Sequence, residues 1–123
     1  MDSKGTWKQL CIENNVYIMS ALGTEFKVNI HVEPIDGYHM SDYNFECMLY
    51  VYTNKGVVFK KGDESVKQTD EDNYRICVSS DDSAKIGRGA VKLKLTAHIP
   101  DGDFLDGLRT EVVDGICTGV TIM

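Results

Sequence analysis

The chain has 123 residues, of which 42% are hydrophobic and 26% charged, and its formal net charge is -6 at pH 7. A domain of this size buries roughly two-thirds of the surface that its unfolded chain exposes, and this composition is typical of a globular protein. The negative charge argues against nucleic-acid binding because phosphate contacts need clustered Lys and Arg. No segment of the sequence reaches the ~20 apolar residues of a membrane span. The sequence therefore predicts one domain over residues 1–123, with neither nucleic acid nor a membrane as its partner.

The N-terminal segment lacks the pattern seen in the rest of the chain. Residues 1–15 show no regular alternation and predict an irregular N-terminal arm that contains Trp7. They also lack the apolar run of a signal peptide, so we expect a protein made and kept in the cytoplasm unless a larger particle carries it out. A short first strand is predicted over residues 16–19, which include Tyr17.

The next two predicted strands have different patterns. Apolar and polar residues alternate over residues 26–33, which predicts one buried and one solvated face, and Pro34 ends the run. A loop follows over residues 35–42. Residues 43–53 are apolar on both parities, with Phe45, Cys47, Leu49 and Val51 on one face and Met48, Tyr50 and Tyr52 on the other. Such a strand is central in its sheet or is covered, either by another part of the chain or by a partner.

The middle of the chain predicts a hairpin and two further strands. Residues 54–56 read as a hairpin turn because Asn and Gly tolerate positive φ, and residues 57–60 return as a strand. A minor edge strand is predicted over residues 65–68 and a firm strand over residues 72–78. Residues 79–85 predict a loop with one helical turn that stops at Gly87 and Gly89.

The last third of the chain has the clearest alternation. Residues 89–100 place five apolar residues on one parity and Lys, Thr and His on the other, which predicts a half-buried antiparallel strand. An acidic turn follows over residues 101–107, and residues 108–123 predict a last strand that bends near Asp114 and Gly115. Seven or eight strands at this spacing predict an all-β fold, an antiparallel β-sandwich.

We searched the sequence for metal ligands and reactive groups. Cys11, Cys47, Cys77 and Cys117 are widely spaced, so they predict small buried hydrophobes and no zinc motif, although the spacing leaves a disulfide open. The three Asp residues of the acidic turn suggest calcium, but the third falls one position late for the helix-loop-helix motif, so we favour a solvated turn. His31 and His98 are predicted on solvated strand faces, and no histidine pair has metal-ligand spacing. We therefore expect no enzyme, no cofactor and no metal site.

Four stretches of the chain carry a resemblance to a known group of proteins. They are LGTEFKVNIHVEPIDG at residues 22–37, HMSDY at 39–43, AHIPDGDFLDGLRTEV at 97–112 and CTGVTI at 117–122. Together they resemble small proteins encoded among the virion genes of tailed bacteriophages, in particular crAss-like phages and related prophages of gut bacteria. The arrangement is also similar to the immunoglobulin-like N-terminal domain of phage baseplate upper proteins. The resemblance implies an immunoglobulin-like sandwich that serves as a structural part of the virion.

The resemblance also implies partners and a location. They are other virion proteins (neck, tail or fibre subunits) and further copies of the chain, in the tail, neck ring or fibre-attachment region of a particle made in the host bacterial cytoplasm. Because aromatic residues and Met are enriched where proteins meet, we predict an interface. Its residues are Trp7, Tyr17, Met48, Tyr50, Tyr52, Phe104 and Leu105. Core packing is the alternative role for each of them. The alternative function is a carbohydrate-binding or adhesin-like module that contacts a bacterial surface, with Trp7, Tyr38 and Tyr43 as its aromatic platform.

Overall fold

The structure is a computed structural model, which describes residues 18–123 of the chain. This part contains eight strands, one α-helix and one 3-10 helical turn. The strands are β1 Ile18–Ser20, β2 Phe26–His31, β3 Asn44–Tyr50, β4 Val57–Lys60, β5 Val66–Asp70, β6 Asn73–Val78, β7 Gly89–Pro100 and β8 Leu108–Ile122. The 3-10 turn spans Met40–Asp42, and the helix α1 spans Ser80–Ile86.

The strands form two sheets. One has five strands in the order β1-β8-β7-β3-β4, and the other has three in the order β2-β6-β5. Neighbouring strands are antiparallel, apart from β1 and β8, which pair in parallel. A single hydrophobic cluster contains buried residues of both sheets. The protein is therefore an all-β sandwich, and the predicted fold class is confirmed at that level.

The core lies where the alternating apolar residues of both sheets meet. The inward residues of β2, β3, β6 and β7 are each no more than 7% exposed. They are Phe26, Val28, Ile30, Phe45, Cys47, Leu49, Tyr74, Ile76, Val78, Val91, Leu93, Leu95, Ala97 and Ile99. Burial of one large apolar side chain contributes roughly 1.5–3 kcal/mol. These residues have the parity that the sequence predicts for the inner faces, so the alternation determines which side of each sheet is buried.

Two glycines permit the turns and bends that the sequence predicts. Gly56, in the connection between β3 and β4, has a φ of +83°, and a Cβ atom there would lie 2.3 Å from the carbonyl oxygen of Leu49. Gly115 lies in a bulge of β8 with a φ of +77°. There, Val113 and Ile116 pair with two β7 residues that are only two positions apart. Gly tolerates this left-handed backbone, and a bulge places one extra residue in one of two paired strands.

Some elements differ from the sequence prediction. Residues 35–38 form a small hairpin in which Asp36 and Gly37 have φ values of +52° and +83°, the backbone of a type I′ turn. The helix α1 has seven residues, about two turns, and the Ser79 hydroxyl accepts a hydrogen bond from the Asp82 amide at its start. The predicted arm over residues 1–15 and the start of the first strand lie outside the described residues.

Candidate functional site

Three of the predicted interface residues meet on the outer face of the five-stranded sheet. Met48 and Tyr50 occupy the outward positions of β3, and Tyr52 lies just beyond this strand with 80% of its surface exposed. Val58 of β4 and Lys94 of β7 flank Met48 at directly paired positions. The outer patch is the surface formed by Met48, Tyr50, Tyr52, Val58, Lys60, Lys92 and Lys94. The placement of Met48 and Tyr50 on the second face of their strand agrees with the sequence pattern.

The outer patch carries positive charge on an acidic chain. Lys94 is paired directly with Met48, whereas Lys60 and Lys92 are its diagonal neighbours on the two adjacent strands, at about 7–8 Å. Two carboxylates lie on the same face: Glu46 Oε1 lies 2.9 Å from His98 Nε2, and Asp114 accepts a hydrogen bond from the neutral hydroxyl of Tyr50 and keeps its negative charge. Within residues 18–123, neither Lys60 nor Lys94 has an ion-pair partner. The outer patch therefore presents three ammonium groups around an apolar centre, with two carboxylates beside them, and its formal charge is positive.

One corner of the outer patch is ordered by polar contacts. The rings of Tyr50 and Tyr52 pack edge to face with centroids 6.4 Å apart, and Lys92 Nζ lies 5.8 Å from the centre of the Tyr52 ring. The Tyr50 hydroxyl donates to Asp114 Oδ1 over 2.6 Å. This hydrogen bond raises the pKa of Tyr50 to about 12 and lowers the pKa of Asp114 below its usual value. These contacts limit the rotamers of the two tyrosines, so the corner has a defined shape.

The other two described interface residues lie at the tip of the β7–β8 hairpin. We define the hairpin tip as residues 103–106, which include Phe104 at 49% exposure and Leu105 at 111%. The loop is closed by backbone hydrogen bonds between Asp101 and Gly107 over 2.9 Å and between Gly107 and Phe104 over 2.9 Å. Asp101 and Asp106 also accept hydrogen bonds from the amides two residues further along the chain. The tip thus holds two apolar side chains in solvent on a well-ordered turn.

Arg109 anchors the base of this hairpin, which sequence reasoning missed. Its Nη2 donates to Asp36 over 2.7 Å and its Nη1 to Asp101 over 3.1 Å, while its Nε lies 2.9 Å from Glu111 Oε2 without hydrogen-bond geometry. The hydrogen bond to Asp36 is the main reason that the pKa of Arg109 is raised. Three carboxylates on one guanidinium connect the small hairpin at residues 35–38 to the β7–β8 turn. The Asp-Gly dipeptide at residues 36–37 is typical of a tight turn, and it was the sequence signal that could have placed Asp36, one partner of Arg109, in a hairpin.

Two Asp side chains of the acidic turn bind neighbouring backbone amides and Arg109. Asp101 binds the Arg109 guanidinium and the Asp103 amide, and Asp106 binds the Leu108 amide. This matches the reading of residues 101–107 as a hairpin turn whose Asp and Gly residues satisfy the backbone. Within residues 18–123, no group of three or more His, Cys, Asp or Glu side chains is arranged to hold a metal ion.

Each histidine lies beside a carboxylate. His31 Nε2 lies 3.1 Å from Glu33 and His39 Nδ1 lies 2.8 Å from Asp72, in addition to the contact between His98 and Glu46. These hydrogen bonds raise the pKa of His31 and His39 above the usual value of 6.5. The pairs join loops and strands: Asp72 also accepts a hydrogen bond from the Met40 amide at the 3-10 turn. Each contact is an ion pair only when its imidazole is protonated.

The cysteines only partly match their predicted role. Cys47 is 1% exposed in the core, and burial raises the pKa of its thiol. Cys77 is half-buried and Cys117 is exposed, with Lys92 Nζ 3.2 Å from its Sγ atom. The expectation of a buried hydrophobe is therefore wrong for Cys117, because its position on β8 faces outward. These three cysteines are free thiols, and Cys11 lies outside the described residues.

The aromatic platform of the alternative function does not form as predicted. Tyr43 is 3% exposed and packs edge to face near Phe45, while Tyr38 is half-buried against the core. The outer face of the three-stranded sheet has a polar depression of about 260 Å³, lined in part by Asn29, Asp70 and Arg75. Arg75 Nε donates to Asn29 Oδ1 over 3.0 Å, and Asp70 Oδ1 accepts hydrogen bonds from the Asp72 amide and the Asn73 side chain.

Trp7 and Tyr17, the remaining predicted interface residues, lie outside the described residues. No helix of residues 18–123 is long and apolar enough to cross a bilayer. The chain matches no protein-family model, and no curated protein or solved structure shows significant similarity to it. Its function must therefore be argued from the two surfaces described above and from the resemblance of its sequence.

Proposed function

We propose that the chain is a non-enzymatic structural subunit of a tailed-phage virion that assembles or docks in the tail, neck ring or fibre-attachment region. The observation that carries this proposal is the exposure of apolar groups on a sandwich whose core is already complete. Tyr52, Phe104 and Leu105 lie in solvent at 80%, 49% and 111% exposure, although the inner faces contain ample apolar residues. Clustered exposed apolar residues mark protein–protein contacts. The sequence resemblance to virion proteins suggests that the partners in these contacts are other proteins of the virion.

An immunoglobulin-like topology is part of this proposal. In variable-type immunoglobulin domains one sheet carries strands G, F, C and C′, and the other carries B, E and D. The adjacent strands β8, β7, β3 and β4 and the adjacent strands β2, β6 and β5 follow that order. Within residues 18–123 the inter-sheet disulfide of antibody domains has no counterpart, since Cys47, Cys77 and Cys117 are free. The strand order supports a module of the type found in phage baseplate proteins.

The direct test is the composition of purified particles of the phage or prophage that encodes the chain. Quantitative mass spectrometry should detect peptides of this chain at a fixed ratio to the other virion proteins after particle purification. Phe104→Ala combined with Leu105→Ala should lower incorporation about tenfold because it removes the apolar tip. Met123→Ala, at an exposed apolar residue away from both surfaces, is the matched control. Absence of the chain from purified particles would refute the proposal.

Carbohydrate binding remains the second candidate. The polar depression on the three-stranded sheet favours it, because Asn, Asp and Arg side chains form hydrogen bonds to sugar hydroxyls. The burial of Tyr43 weighs against it, because the predicted aromatic platform loses a member. A glycan array with the isolated protein tests this function: saturable binding that Arg75→Ala removes would support it, and the absence of binding would refute it.

A further inference from the structure

We propose that the hairpin tip of one copy of the chain docks on the outer patch of a second copy, so that the copies associate head to tail. This inference rests on the proposed role of the chain as an assembling subunit. It identifies the partner as a second copy of the chain and assigns the two surfaces that meet. Leu105 and Phe104 would contact the apolar centre around Met48 and Val58.

Both surfaces present apolar side chains to solvent. Leu105 at the hairpin tip is 111% exposed, and Met48 and Val58 form an adjacent cross-strand pair on the outer patch. Tyr50 and Tyr52 border this pair along β3 and its extension. Met adapts its shape to a contacting side chain, and tyrosines contribute large contact area at low entropic cost. A projecting leucine and phenylalanine therefore find a suitable surface on the patch.

The charges of the two surfaces are opposite. Asp103 and Asp106 flank the apolar pair of the tip, and Lys60, Lys92 and Lys94 lie around the apolar centre of the patch. The carboxylates of Glu46 and Asp114 on the same sheet face reduce the positive charge of the patch but do not cancel it, because three ammonium groups lie beside two carboxylates. Complementary charge of this kind sets the orientation of an encounter and its rate more than its final strength. It also disfavours contact of the patch with another patch, because the lysines of two copies would then face one another.

The hairpin tip is organised before it binds. Backbone hydrogen bonds close the turn, and Arg109 connects Asp101 at its base to Asp36 in a separate loop. An ordered loop loses less conformational entropy on association than a mobile one. The contact therefore needs little rearrangement of the tip.

The tip cannot reach the outer patch of its own chain. Lys94, beside the centre of the patch, lies six positions before Pro100 at the start of the turn, which amounts to about 20 Å along an extended strand. The contact must therefore form between copies. Two different surfaces meet, so the association is heterologous, and it gives a closed ring or an open chain according to the rotation between copies.

The experiment uses the full chain and two variants that each remove one surface. Leu105→Asp places a charge at the tip, and Met48→Glu places one at the centre of the patch. Sedimentation velocity from about 10 µM to about 1 mM should show concentration-dependent association of the wild type, weakened about tenfold or more by either change. Leu22→Asp, in an exposed loop outside both surfaces, is the matched control and should associate like the wild type.

A mixture of the two variants distinguishes head-to-tail docking from a symmetric interface. Each mixed pair retains one intact tip and one intact patch, so a 1:1 mixture should form a dimer that neither variant forms alone. A second pair, Asp103→Lys and Lys94→Asp, applies the same logic through charge if Met48→Glu does not fold. A wild type that stays monomeric throughout, a Leu105→Asp variant that associates normally, or a mixture that remains monomeric would each overturn the inference.

The failure of this inference can be separated from the failure of the proposed function. If the chain is present in purified particles but monomeric in solution at all concentrations, the head-to-tail contact is refuted and the virion role stands. If the chain associates as predicted but is absent from the particles, the contact stands and the virion role is refuted.

Discussion

The ammonium group of Lys61 holds a turn of the backbone, and its removal gives the most informative prediction for stability. Lys61 Nζ donates to the carbonyl oxygens of Met40, Ser41 and Tyr43 at 3.2, 2.9 and 2.8 Å. It also lies 6.0 Å from the centre of the Tyr74 ring. Desolvation lowers the pKa of this lysine, as expected for an ammonium group withdrawn partly from water. The three carbonyls lie within the 3-10 turn and directly after it, and they would lose their common donor in Lys61→Met.

The expected loss follows from these hydrogen bonds. A hydrogen bond to a charged group contributes about 1.5–3 kcal/mol, but the three bonds share one ammonium whose desolvation opposes them. Methionine retains the apolar stem of the lysine, so the substitution removes the charge with little loss of packing. We expect a fall in the free energy of unfolding on the order of 2–4 kcal/mol, which corresponds to a drop of roughly 10 °C in Tm for a domain of this size.

The assay compares thermal and urea unfolding of Lys61→Met with those of Lys67→Met, which alters an exposed lysine on β5 in the same way. Lys67→Met should change Tm by no more than about 2 °C. Hydrogen exchange gives a local reading, because the amides of Ser41 and Asp42 in this turn donate to the carbonyl oxygens of Glu71 and His39 and should exchange faster in Lys61→Met. Equal effects of the two substitutions on Tm would refute the reasoning.

Three further predictions concern individual residues. The hydrogen bond to Asp72 raises the pKa of His39 above 6.5 in the folded state. The stabilisation that this contact gives the folded protein is therefore complete below about pH 6.5 and is lost as the pH rises through the folded-state pKa of His39. Thermal unfolding at several pH values should show Tm falling from about pH 6 to about pH 8, with a smaller fall in His39→Gln; equal falls would contradict this. Iodoacetamide should label exposed Cys117 in the native protein and spare buried Cys47, as peptide mass spectrometry would show, and early labelling of Cys47 would contradict its burial. Gly56→Ala should cost about 2–4 kcal/mol in urea unfolding, since its Cβ atom would lie 2.3 Å from a backbone oxygen, and a loss below about 1 kcal/mol would argue against that turn.

Most of the fold could be predicted because it depends on local alternation. The parity of residues 26–32 and 91–99 determines which side chains face the core, and a strand offers no other periodic arrangement. The sequence prediction failed at short segments, where two or three residues carry the whole signal. The Asp-Gly pair at residues 36–37 is typical of a hairpin, but the pairing itself is between Ile35 and Tyr38, one residue on either side, which is too short for a strand pattern. Similarly, Ser79 and Asp82 have the spacing of a helix N-cap and its third residue. The Ser and Asp residues around them are also common in loops, so the sequence predicted only one helical turn there.

The candidate surfaces could be predicted only in part. Met48 and Tyr50 were found from parity within one strand, but the contribution of Val58 and Lys60 depends on the register between β3 and β4. Register is a long-range property that the hairpin geometry sets and that no local pattern shows. The cluster around Arg109 was missed for a similar reason, because Asp36 lies 73 residues away along the chain.

The two proposed contact surfaces are separate from the groups that stabilise the fold, and this separation makes the docking proposal testable. Leu105 is fully exposed and contributes no buried area to the sandwich, so Leu105→Asp should leave Tm almost unchanged while it weakens association. Arg109 differs from Leu105 in this respect. Its guanidinium contacts Asp36 in one loop and Asp101 in another, and so it fixes the base of the β7–β8 hairpin. Arg109→Met should therefore lower Tm and weaken association together. A parallel loss of stability and association in Leu105→Asp would show that the tip serves the fold itself, and the argument for an intermolecular contact would then fail.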